Sequence, residues 1–158
     1  METFHTLAEV AVGFAGFASI AVLFRRRDRG EWSSYDALRY RAMLFNSLFA
    51  CAFALLPTLV MPLQLQSSIL WASCSGLLLV YVVWRSVSVF PSARRGGAPL
   101  NRVIPILAIV TILLQVANIV GIPLNRGPAL YLLGVGALIF MAGYNFFHLV
   151  SVAAPRTD

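Results

Sequence analysis

Three pairs of polar residues interrupt a chain that is otherwise nearly continuous hydrocarbon. His5 and Glu9 are four apart, Gln115 and Asn118 three apart, and Asn145 and His148 three apart. On a helix those spacings put both members of a pair on one face. A charge at the centre of a bilayer costs about 2.5–3.5 kcal/mol, and less toward the edge. Glu9 lowers that cost by bonding to a neighbour such as Gln115, by facing water, or by taking up a proton. The chemistry on offer is proton or cation binding, with Glu9, His5, Gln115 and Asn118 as candidate ligands. The same groups equally suit hydrogen bonds between helices, worth about 0.6 kcal/mol each on average. A second polar set, Asn46, Arg85, Asn145 and His148, falls toward the opposite ends of its apolar runs.

The elements that carry these residues follow from composition. Of 158 residues, 59% are hydrophobic and 11% charged, with mean hydropathy +0.82. A soluble domain has about a quarter of its residues charged, so lipid must be most of this chain's solvent. Apolar runs fall at 7–24, 40–63, 68–90, 103–124 and 128–150. About 20 helical residues cross a hydrocarbon core, and in lipid the backbone must bond to itself. The expected fold is all-α: a polytopic transmembrane helix bundle of five spans forming a single domain over 1–158. The first run is the shortest and holds Glu9, so four spans plus an interfacial or re-entrant N-terminal helix is the alternative.

The connections are short. Ser33 and Asp36 have capping-box spacing and predict a helix start near Ser33. QLQS at 64–67 predicts a tight turn, and Pro128 is placed to open the last helix. Pro57 and Pro62 are expected to kink the second span and its exit.

All twelve basic residues are arginine, which removes lysine Schiff-base chemistry. The net charge of +6 does not point to nucleic acid, because the arginines cluster at the ends of apolar runs. With five spans, one side receives every arginine except Arg126. That bias predicts a cytoplasmic C-terminus and an outside N-terminus in a bacterial inner membrane. Arg25, Arg26, Arg27 and Arg29 form a topology anchor able to hold anionic lipid at about 1 kcal/mol per residue. Trp32, Tyr35, Tyr40, Tyr81 and Trp84 are expected near one interface, and Trp71 and Tyr131 near the other.

The first run carries small residues at Ala11, Ala15 and Ser19, flanked by Gly13 and Gly16. Small residues let helices approach closely, so this stripe predicts tight packing, within the chain or against a second copy. Cys51 and Cys74 read as small buried hydrophobes. The sequence has no phosphate-binding glycine loop, no HExxH and no GxSxG. No catalytic residue, metal site or cofactor is therefore nominated, and an enzyme is not expected.

The stretch LAEVAVGFAGFASIAVLFRRR, Leu7 to Arg27, is followed from Glu31 by EWSSYDALRYRAMLFNSLFACAFALLPTLV. It resembles small bacterial integral membrane proteins that open with an Ala-Glu-(Ile/Val) element, a Phe/Gly-rich helix and a basic loop. The resemblance ends near Val60. It implies a bacterial membrane location, carries over no activity, and singles out Glu9 and the glycines. Two functions of different class follow as expectations. One is a structural or interaction subunit, a homo-oligomer or the partner of another membrane protein, packing through its first helix. The other is a small oligomeric channel or transporter for a cation or proton, using Glu9.

Overall fold

The structure is a computed structural model and describes residues 2–28, 34–95, 102–122 and 126–153. The described residues are all-helical in architecture: α1 (Glu2–Asp28), α2 (Ser34–Val60), a single 3-10 turn (Met61–Leu63), α3 (Ser67–Arg95), α4 (Val103–Val120) and α5 (Pro128–Ala153). Among the described residues, four helical segments are long and apolar enough to cross a membrane: Ala37–Leu63, Ser67–Ser88, Val103–Val120 and Pro128–Val150. The chain is a multi-pass membrane protein.

The helix limits have local causes. α2 runs on through Pro57 and gives way to the 3-10 turn, which holds Pro62. Gln64 then turns the chain in the left-handed region, at φ 51°, donating its N–H to the Met61 carbonyl. α4 stops at Val120, short of the expected 124. Gly121 there adopts φ +86°, and its N–H donates to the Ala117 carbonyl at 2.8 Å. Glycine enters this conformation without the Cβ penalty, which is why it ends helices so often. Pro128 opens α5, as its fixed φ and missing N–H suit. Ser33 lies outside the described residues, and α2 begins one residue later.

α1 is not among those four segments, yet it packs along the bundle. Its Phe4 ring lies 5.9 Å from Trp71 and 6.2 Å from Tyr131, near the starts of α3 and α5. Its Phe14 and Phe17 rings lie 6.4 and 6.3 Å from Phe146, near the end of α5. Thirteen residues of α1 thus keep pace with fifteen of α5, both about 20 Å of helix. α1 runs in the same direction as α5, packed along α2 and more lightly against α5.

The remaining pairings are α2 with α5, α3 with α4, and α4 with α5. α2 and α3 touch only slightly, although one short turn joins them. Small side chains are part of the core: Ala8, Ala11, Ala50, Ala54 and Ala142 are all buried. Both cysteines are free thiols, Cys74 buried and Cys51 half-buried.

The distribution of polarity identifies the solvent. On α4 the buried residues are Ala108, Thr111, Gln115 and Asn118. Its exposed face is Ile106, Ile109, Val110, Leu113, Val116 and Val120. Polar groups inside and aliphatic groups outside is the reverse of a helix on a water-soluble protein.

Candidate functional site

The polar groups of α4 meet α3 and α5 beside the α4–α5 turn. Gln115 and Asn118 are both fully buried. The Asn118 amide nitrogen donates to Ser75 Oγ on α3 at 2.7 Å and to the Gly127 carbonyl at 3.1 Å. Its Oδ1 accepts the Gly127 N–H at 3.0 Å. One side chain therefore clasps both ends of the turn and ties them to a third helix. Outside the clasp, Arg126 Nε donates to the Ile119 carbonyl at 2.8 Å, using a carbonyl at the end of α4 that has no helical partner.

One turn along α4, the Gln115 amide nitrogen donates to the Leu130 carbonyl at 3.0 Å. Gly134 makes room for this. A Cβ there would overlap the Gln115 amide nitrogen and come within 2.9 Å of Leu78 Cδ2. Gln115 Oε1 is buried without a hydrogen-bond partner. Thr111 turns its hydroxyl to the Leu107 carbonyl of its own helix at 2.8 Å. These groups are matched largely to backbone carbonyls, with the Asn118–Ser75 bond joining two side chains.

The expected grouping of Glu9 and His5 with Gln115 and Asn118 does not form. Phe4, Ala8 and Ala11 are the buried positions of this part of α1, whereas His5 and Glu9 are exposed. They lie on the outside of the bundle, while Gln115 and Asn118 lie at its centre. The small-residue stripe is also displaced from the packing face. Ala11 is 1% exposed and Ala15 half-buried, but Gly13, Gly16 and Ser19 are turned away from that face. A Cβ built on Gly13 or Gly16 meets nothing within 4 Å. Ser19 bonds along its own helix, to the Ala15 carbonyl at 3.2 Å. α1 thus turns outward a face that holds Glu9, His5, Val12, Gly13 and Gly16.

At the other end, the second polar set is partly assembled. Asn46 Oδ1 accepts the Tyr81 hydroxyl at 3.2 Å, joining α2 to α3. Arg85 interacts with the same hydroxyl, and its guanidinium lies 5.4 Å from the Phe45 ring centre. Asn145 donates to the Met141 carbonyl within α5 at 2.7 Å, and the His148 ring lies edge-on to Tyr144 at 4.5 Å. Both of these contacts lie within α5. Arg25, Arg26 and Arg27 fall in the last turns of α1; Arg29 and Trp32 lie outside the described residues.

Two aromatic residues expected at the interfaces are core instead. Tyr81 is 6% exposed and Tyr131 fully buried. The Tyr131 hydroxyl donates to the Phe53 carbonyl at 2.6 Å. Pro57 explains why that carbonyl is available, since proline has no N–H for the residue four earlier. Sequence reasoning singles out Pro57 and Tyr131 separately and misses the bond between them. It misses Ser75 and Gly134 as well, because small residues in an apolar run carry no distinctive signal. Trp84, 55% exposed, does sit on the surface as a belt residue would. Comparison with known protein families, with curated proteins and with solved structures finds no match.

Proposed function

We propose that the protein is a non-enzymatic subunit of a bacterial cytoplasmic membrane that works by association through α1, with a second copy of itself or with another membrane protein. The observation that carries this reading is the outward placement of Glu9 beside two open glycines. We read α1 as a fifth crossing beside the four apolar segments, a reading supported by its keeping pace with α5 along the bundle. The arginine bias then puts the N-terminus outside and the C-terminus in the cytoplasm.

On that topology a lone bundle presents Glu9 to hydrocarbon or headgroups. A partner helix removes that exposure, and Gly13 and Gly16 let its backbone approach closely. In a two-fold pair the same patch meets itself, so His5 and Glu9 of one copy face their counterparts in the other. The interior supports the same reading, because the Gln115 and Asn118 amide nitrogens are spent on bonds between helices.

The test is covalent capture in the membrane, in a chain lacking Cys51 and Cys74. Gly16→Cys is expected to form a disulfide-linked dimer on mild oxidation, and Leu113→Cys on the lipid face of α4 is expected not to. Equal capture at both positions would overturn self-association. Capture at neither, with no other membrane protein cross-linked at position 16, would overturn the interface altogether.

A second reading is a small oligomeric channel for a cation or proton. It is favoured by the same outward carboxylate, because a pathway lined by Glu9 then lies between copies. Ion flux in reconstituted vesicles, lowered by Glu9→Gln while capture at Gly16→Cys persists, would select it.

A further inference from the structure

α2 and α3 are neighbours in sequence yet barely touch, and the gap between them is a groove of about 330 Å³. Its walls are Phe49, Phe53 and Leu56 from α2 and Leu77, Tyr81 and Trp84 from α3. The walls are almost entirely hydrocarbon and aromatic, and the groove is open along the outside of the bundle. From Phe49 to Leu56 it runs about 10 Å along the helix axis, a third of a hydrocarbon core. One turn beyond its end stand Phe45 and Arg85, the guanidinium resting against the Phe45 ring. Arg85 lies three residues before the end of its span, at Ser88.

We propose that this groove holds one acyl chain of an anionic phospholipid whose phosphate is bound by Arg85. The two halves of the site match the two halves of such a lipid and stand in the right order along the membrane normal. Aromatic and aliphatic walls take the chain. The arginine, half-buried and oriented by Phe45 and the Tyr81 hydroxyl, takes the headgroup with a planar donor set suited to phosphate oxygens. Asn46 holds the other side of Tyr81, so the mouth is built from both helices. A second copy's helix is the rival occupant. The apolar runs 40–63, 68–90, 103–124 and 128–150 hold no acidic residue to meet the guanidinium, whereas a phospholipid brings its own phosphate. The inference rests on the membrane location alone and is independent of the association proposed for α1.

Trp84 lines the groove and reports on its occupant. In a Trp32→Phe, Trp71→Phe background it is the sole tryptophan. The protein is reconstituted into phosphatidylcholine vesicles containing a minor fraction of phosphatidylglycerol with brominated acyl chains. A matched set of vesicles carries the bromine on phosphatidylcholine instead. Brominated phosphatidylglycerol is expected to quench Trp84 with about fivefold higher apparent affinity, the scale of one arginine–anionic lipid contact. Arg85→Gln is expected to abolish that preference. Ala52→Phe, which fills the groove and leaves Arg85 in place, is expected to abolish it too, so the conclusion survives if Arg85→Gln fails to fold. Equal quenching by both lipids in the parent would overturn the proposal, leaving Trp84 touched by unselected lipid. Absence of quenching by either lipid would overturn it by showing the groove filled by protein.

Discussion

The bond from Tyr131 to the Phe53 carbonyl shows how one residue resolves another's defect. Pro57 lets α2 continue but strips a hydrogen bond from its middle, where no water is at hand to replace it. Tyr131, fully buried and 2.6 Å away, supplies the missing donor. Tyr131→Phe keeps the ring and its packing against Phe4 and Trp71 while orphaning the carbonyl. It is expected to destabilise the protein by about 1–2 kcal/mol, read as unfolding at lower SDS fraction in mixed micelles. Pro57→Ala restores the internal donor, so it should relieve most of that loss when combined with Tyr131→Phe. Independent, additive losses would show that the two residues are not linked.

At the scale of elements, α4 and α5 meet where Gly134 leaves space for the Gln115 amide. Gly134→Ala is expected to cost about 1–3 kcal/mol, since Gln115 and Leu78 are both fully buried and a shift of the Gln115 amide breaks its bond to the Leu130 carbonyl. Gln115→Ala removes the obstruction, and the double variant should be more stable than the sum of the two single losses; strict additivity in the same micelle assay would refute the steric account. The existence and rough limits of the spans were legible, because a run of twenty apolar residues has few alternatives. Which face of α1 packs was not legible. The stripe Ala11, Ala15, Ser19 advances four residues per step, whereas a helix turns every 3.6. Its members therefore drift about 40° per step around the axis. Burial along α1 follows that drift, Ala11 being buried and Ala15 half-buried. The true face, Phe4, Ala8 and Ala11, alternates steps of four and three and holds to one side. Pairing the polar groups failed for a related reason: the sequence sorts Glu9 and Gln115 to a common depth, but only packing decides which looks inward.

For the whole molecule, the decisive expectation concerns its setting in the membrane. In intact cells, with Cys51 and Cys74 replaced, Thr3→Cys is expected to react with a membrane-impermeant thiol reagent added outside. Phe14→Cys, against α5, is expected to be protected. Reaction at position 3 only after the cells are opened would place the N-terminus in the cytoplasm and remove α1 from the crossings. Reaction at Glu9→Cys from outside would bring water to that face and favour the channel over the sealed interface.

The hydroxyl of Tyr131 also fixes an order of events. Phe53 leaves the ribosome 78 residues ahead of the side chain that completes it. Until α5 is made and inserted, α2 carries an open carbonyl in its middle, and the cost of that defect is borne by a half-built chain. A nascent product that stops before Pro128 keeps that carbonyl open in its own second helix. The fifth helix, on arriving, closes the bond that the second one opened.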